Sequence, residues 1–182
     1  MKKALFLDRD GVVNIDHGYV YQAEKFEFVE GVFEACKAFQ QAGYDIVVVT
    51  NQSGIGRGYY TEQDFHTLTT WMVSQFAQHG VTILDVFFCP HHPEKALPKY
   101  LKACDCRKPA PGMLLEAMSK HQIDPKMSIV VGDKSSDIQA GINAGLAHKF
   151  LVRTGKTISE QDEKIADATL VDLKAVAKHI LG

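Results

Sequence analysis

Apolar runs of strand length alternate with helical patterns along this chain, and that alternation limits its possible folds more than any other feature. Ala4–Leu7, Ile46–Val49, Ile83–Phe88, Ser128–Val131 and Phe150–Val152 read as strands. Between them, Val32, Phe33, Cys36 and Phe39, then Phe65, Leu68, Met72 and Phe76, recur at helical spacing. Further helices are predicted after Pro111, over about Ser136–Ala144 and from near Asp172. Continuous apolar strands joined by helices imply a central parallel sheet covered on both faces, with right-handed crossovers. The expected fold is therefore α/β, a three-layer, Rossmann-like sandwich. Thr61 with Asp64 forms a capping-box pattern, Pro111 suits a first helical turn, and Gly43 and Gly80 mark helix ends.

The chain has 182 residues, and with 46% hydrophobic and 23% charged residues it has the make-up of one ordinary globular domain, taken here as 1–182. No repeat, low-complexity tract or linker divides it. The net charge of −2 supplies no dense basic field, which argues against nucleic acid as a partner. No apolar run approaches membrane-spanning length, and the amino terminus reaches Asp8 after four apolar residues, too few for a secretory leader. A cytoplasmic, monomeric protein is expected, with no membrane partner. Four cysteines, three of them within eighteen positions, fit reduced thiols or a metal site better than a disulfide scaffold.

In open parallel sheets, ligands bind beyond the carboxyl ends of the strands. Three strands of this chain end in polar side chains: Asp8-Arg9-Asp10-Gly11, Thr50-Asn51-Gln52-Ser53, and Gly132-Asp133-Lys134-Ser135-Ser136-Asp137. Asp8 and Asp10, two apart, can share a face, with Asp133 arriving from another strand. A lone Asp-x-Asp is usually a solvated turn, but three gathered carboxylates repel. They must hold a proton or a hard cation such as Mg²⁺, and Lys108 or Lys134 would balance the charge of a phosphoryl group.

With Lys108 in Arg107-Lys108-Pro109, these motifs resemble those of the haloacid dehalogenase-like phosphohydrolase superfamily over residues 5–137. The resemblance implies that Asp8 is the nucleophile of an aspartyl-phosphate mechanism and Asp10 the general acid and base. It implies that Thr50 and Lys108 stabilise the phosphoryl group, and that Mg²⁺ is bound by Asp8, Asp133 and the backbone carbonyl of Asp10. Asp137 would support these ligands from behind. No large insertion follows the first or second strand, so no separate cap domain is expected.

Cys89-Pro90-His91-His92 and Cys104-Asp105-Cys106 give a Cys-x-His plus Cys-x-Cys set on a long loop. Cys89, His91, Cys104 and Cys106 suit a structural Zn²⁺, which with four protein ligands leaves no position open for substrate. His91 matches the family pattern, and His92 is the alternative. Cys36, on an apolar helix face, reads as a core thiol.

Within the superfamily, Asp16-His17-Gly18-Tyr19-Val20, the segment 51–58 and the Cys/His loop look like those of sugar bisphosphate phosphatases. Asp16, His17, Gly18, Tyr19 and Thr50, Asn51, Gln52, Ser53 would then bind a small phosphosugar. Arg107 would grip its second phosphate bidentately, and Lys134 would add charge. Val12 stands where the family commonly has Thr. The second reading is a histidinol-phosphate phosphatase, which shares the nucleophile, the zinc loop and Arg-Lys-Pro. A phosphosugar-binding protein without catalysis would need neither Asp8 nor Asp10.

Overall fold

The computed structural model describes residues 1–182. Six strands, β1 (Lys3–Leu7), β2 (Tyr44–Asn51), β3 (Ile83–Cys89), β4 (Ile129–Gly132), β5 (His148–Val152) and β6 (Ala168–Leu170), form one parallel sheet. Their order is β3-β2-β1-β4-β5-β6. The helices are α1 (Val32–Gln41), α2 (Ser53–Gly56), α3 (Glu62–Gln78), α4 (Gly112–His121), α5 (Ser135–Ala144), α6 (Glu160–Ile165) and α7 (Leu173–Leu181). None is long and apolar enough to cross a membrane.

The period of two along each strand divides the core into two layers. Leu5, Leu7, Ile46, Val48, Ile129 and Val131 face α1, α3 and α7, burying Phe39, Met72, Phe76 and Val176. Ala4, Phe6, Val47, Val49 and Val130 face the other way, onto Met113, Leu114 and Ala117 of α4 and Ala140 and Ala144 of α5. Both faces are thus dry, which is why these strands read as unbroken apolar runs. The Thr61–Asp64 capping box opens α3, with both reciprocal hydrogen bonds made. Such a cap contributes about 1 kcal/mol. α4 begins at Gly112, one residue after Pro111.

Three short elements lie outside the predicted set. β6 has three residues, all half-buried, and α2 has four. α6 has a capping box at Ser159 and Asp162 but buries no residue, so it has no apolar stripe to detect.

The order reverses between β1 and β4: α1 follows β1 onto one face, and α5 follows β4 onto the other. The chain departs in opposite directions there and leaves a crevice at the carboxyl ends of the two strands.

Candidate active site

Asp8 leaves β1 and Asp133 leaves β4 at this crevice. Their carboxylates and that of Asp137, in the first turn of α5, lie within 4.8 Å of one another. All three are buried. Lys108 Nζ donates to Asp8 Oδ1 at 3.0 Å and to the Val49 carbonyl at 2.9 Å, and pairs with Asp137 Oδ1 at 2.6 Å. An ammonium has three protons, and each has its acceptor. Burial alone would lower the pKa of Lys108, but the Asp137 and Asp8 charges outweigh it, and the group stays protonated.

Asp137 is spent on structure: its Oδ2 accepts from the backbone N–H groups of Asp133 and Lys134 at 3.1 and 3.2 Å. Asp8 Oδ2 and Asp133 Oδ1 are buried with no hydrogen-bond partner. Burial, then the Asp8 charge, pushes the Asp133 carboxyl up to about 7. Two orphaned carboxylate oxygens in one cluster are the donor set of a hard cation, and Asp8 and Asp133 could hold Mg²⁺. Gly11 makes the close approach possible. Its φ is +97°, and a Cβ there would lie 2.3 Å from Asp133 Oδ2.

Asp10 is held from three sides. Its Oδ1 accepts from Arg9 Nη2 and Asn14 Nδ2 at 3.0 and 2.9 Å, and its Oδ2 from Gln52 Nε2 at 3.1 Å. Gln52 also donates to Thr50 Oγ1 at 2.9 Å and accepts from the Tyr60 hydroxyl, whose pKa burial raises. Arg9 is 1% exposed, lies against the Phe26 and Phe65 rings, and donates to the Val20 carbonyl at 2.8 Å. It ties Asp10 to the segment that carries Asp16 and Tyr19. The sequence reading passed over Arg9, Asn14 and Tyr60.

Beside these groups lies an open cavity of about 230 Å³, lined by Asp10, Asp16, Gly18, Tyr19, Asn51, Gln52, Ser53, Gly54, Tyr60, Lys134 and Lys156. Lys156 and Gly54 were not among the residues predicted. Burial opposes the charge of Lys134, but Asp8 and Asp133 raise its pKa, so it too stays cationic. Asn51 does more than line the cavity: its amide accepts from Lys108 N at 3.0 Å and donates to Lys108 O at 3.2 Å, clamping that peptide in place.

Four predicted binding residues are not part of that lining: Thr50 and Lys108 are buried against Gln52 and Asp8, and His17 and Arg107 stand farther off. The His17 ring pairs with Glu27 Oε1 at 3.0 Å, half-exposed. Arg107 places Nη1 3.5 Å from the His91 carbonyl, at the edge of the Cys/His loop.

In that loop Cys104 Sγ lies 3.4 Å from Cys89 Sγ and 3.3 Å from Cys106 Sγ, and His91 Nδ1 lies 3.4 Å from Cys106 Sγ. The edges of a tetrahedron around zinc with bonds of about 2.3 Å would be roughly 3.8 Å, so four donors this close fit the ion. His92 is turned elsewhere, its Nδ1 accepting from the N–H groups of Glu94 and Lys95. Without a metal, hydrogen bonding to Cys89 and burial raise the Cys106 thiol, and burial lowers His91. Cys36 is fully buried and pushed up to about 12, an inert core thiol.

A family model described as HAD-hydrolase-like matches residues 105–178. Over 180 residues the chain is 50% identical to the D-glycero-beta-D-manno-heptose-1,7-bisphosphate 7-phosphatase of Vibrio cholerae, covering 99% of this chain and 97% of that one. The chain belongs to this phosphatase family. The Escherichia coli K12 member, of the same name, is 48% identical over 170 residues, 93% of this chain and 89% of its own. Among solved structures, the D,D-heptose 1,7-bisphosphate phosphatase from B. bronchiseptica, complexed with magnesium and phosphate, matches with a TM-score of 0.83 at 32% identity. It covers 98% of both chains. The Burkholderia thailandensis member matches at 0.70 and 31% identity, over 100% of this chain and 99% of that one. Like the family fold, this chain is a parallel sheet with flanking helices and no large cap, and it is a phosphoric monoester hydrolase.

Proposed function

We propose that the protein hydrolyses the 7-phosphate of D-glycero-beta-D-manno-heptose 1,7-bisphosphate, with Mg²⁺, through an aspartyl-phosphate on Asp8. In the cell the reaction would serve synthesis of the heptose precursor of lipopolysaccharide core, in the cytoplasm. One observation carries the chemistry: at the switch point a buried carboxylate has one oxygen fixed by Lys108 and the other without a partner. Asp8 attacks phosphorus through one of its carboxylate oxygens as the bond to the sugar oxygen breaks. Asp10, held by Arg9, Asn14 and Gln52, gives its proton to that leaving oxygen and then takes one from the water that releases phosphate. Thr50, Lys108 and Lys134 offset the charge that develops on the phosphoryl oxygens. Asp8, Asp133 and the main-chain carbonyl of Asp10 would hold Mg²⁺, which when bound would supply the positive charge that lets two anions meet. Asp16, Tyr19 and Ser53 line the side where the sugar lies, and Arg107, outside that lining at the edge of the Cys/His loop, would take the remaining phosphate. Cys89, His91, Cys104 and Cys106 hold a structural Zn²⁺ that fixes the segment leading to Arg107 and Lys108.

The test is kcat/KM for phosphate release from the heptose bisphosphate and from histidinol phosphate, side by side. A preference for the bisphosphate of about a hundredfold is expected, the scale of a charge-assisted contact to the second phosphate. A preference for histidinol phosphate would overturn the substrate and leave the chemistry.

The raised Asp133 carboxyl gives a second expected result. In the metal-free protein the folded chain keeps a proton that the unfolded chain has already released, so stability should fall as pH rises from about 4 to about 7. Mg²⁺ must displace that proton. The increase in Tm on adding Mg²⁺ should be full near pH 8 and shrink as pH drops through about 7 toward 5. Thermal scans with equal increases at both ends of that range would contradict the assignment.

A further inference from the structure

A fourth strand also delivers polar residues to the crevice. β5 ends at Val152 and runs into Arg153-Thr154-Gly155-Lys156. Thr154 Oγ1 donates to the Gly11 carbonyl at 2.7 Å, joining this loop to the one after β1. Lys156 N donates to Asp133 Oδ2 at 2.8 Å, which occupies that oxygen and leaves Oδ1 without a partner. The approach is so close that a Cβ on Gly155 would lie 2.1 Å from Asp133 Oδ2. The loop is tied to one side of the crevice by the Thr154 hydroxyl and to the other by the Lys156 N–H, with Gly155 packed against Asp133 between them, and this places the Lys156 side chain at the cavity. The Lys156 ammonium lines it, 3.2 Å from Asp16 Oδ2.

We propose that Lys156 is a substrate-specificity residue that, paired with Asp16, reads the sugar hydroxyls at the mouth of the cavity. The proposal rests on the phosphosugar reading above. Lys134 sits among Asp8, Asp133 and Asp137, where the phosphoryl group reacts; Lys156 reaches outward to Asp16 instead. Asp16 holds its own turn with Oδ1, which accepts from Gly18 N at 3.0 Å, and offers Oδ2 toward Lys156. A carboxylate that only accepts and an ammonium that only donates then stand side by side. Adjacent hydroxyls of a polyol, each both donor and acceptor, complete that pair: one donates to Asp16 and the next accepts from Lys156. A phosphate ester without hydroxyls leaves the pair unused. A site built to hydrogen-bond a hydroxyl discriminates against analogues that lack it.

The Lys156 side chain is 61% exposed, so Lys156→Met removes the ammonium without opening the core. The ratio of kcat/KM for the heptose bisphosphate to that for p-nitrophenyl phosphate should fall by about tenfold or more in Lys156→Met, the scale of one charge-assisted hydrogen bond. Lys156→Arg should recover most of it. An unchanged ratio, with both substrates losing equally, would overturn the proposal, because Lys156 would then act on the reacting centre. Calorimetric titration of the heptose bisphosphate into Mg²⁺-loaded protein carrying Asp8→Asn, with and without Lys156→Met, separates this inference from the phosphatase reading. Kd should rise by about tenfold when Lys156 is lost. An unchanged Kd overturns the role of Lys156 alone; tight, Lys156-dependent binding without turnover in the wild-type chain supports it and overturns the phosphatase reading alone.

Discussion

Replacing Asp8 by asparagine is expected to lower phosphate release by on the order of 10⁴-fold or more while leaving the fold intact. The amide matches the carboxylate in shape but is no nucleophile, so the two-step route closes. The fold survives because the amide oxygen can still accept from Lys108, whose other acceptors, Asp137 and Val49, are untouched. One negative charge also leaves a cluster in which Asp8 helps to raise Asp133, so the Asp133 carboxyl should move back toward its ordinary range. Phosphate release and circular dichroism on the same preparation check both parts. Activity near the wild-type level would remove Asp8 from the mechanism.

Cys104→Ser should abolish zinc binding, lower Tm by roughly 5–10 °C and depress kcat even with Mg²⁺ in excess. The path from metal to chemistry is short. Cys106 is followed by Arg107 and Lys108, and the other end of that segment is held by the Asn51 amide, the Lys108 side chain and the Asn143 amide on the Pro109 carbonyl. Releasing it leaves the buried carboxylates of Asp8 and Asp137 to find new partners, a costly change in a dry site. Zinc analysis, a thermal scan and kcat on the variant form the check. Protein that contains no zinc yet matches the wild type in Tm and kcat would contradict a structural metal there.

The sheet and the crevice were legible because both faces of the sheet are covered, which makes every central strand an unbroken apolar run with an abrupt polar end. Asp8, Asp133 and the Cys/His set follow from that punctuation and from the spacing of their residue types. Other features depend on contacts that no local pattern encodes. The Asn51 amide is consumed by a peptide 57 positions away, and His17 turns to Glu27 although its neighbours Asp16 and Gly18 line the cavity. Arg9 looks in the sequence like a solvated spacer between two aspartates. Its alternation with Asp8 and Asp10 sends it inward instead, against Phe26 and Phe65. Lys156 was readable by the rule that found the other residues, since it too follows a strand, but its loop carries no acidic pair to attract notice.

The chemistry turns on a covalent step at Asp8, and the stereochemical course at phosphorus tests that step most directly. Hydrolysis of the heptose bisphosphate made chiral at the 7-phosphorus should proceed with overall retention, because two in-line displacements, first by Asp8 and then by water, each invert the centre. Overall inversion would mean that water attacks the substrate directly, and would contradict the aspartyl-phosphate.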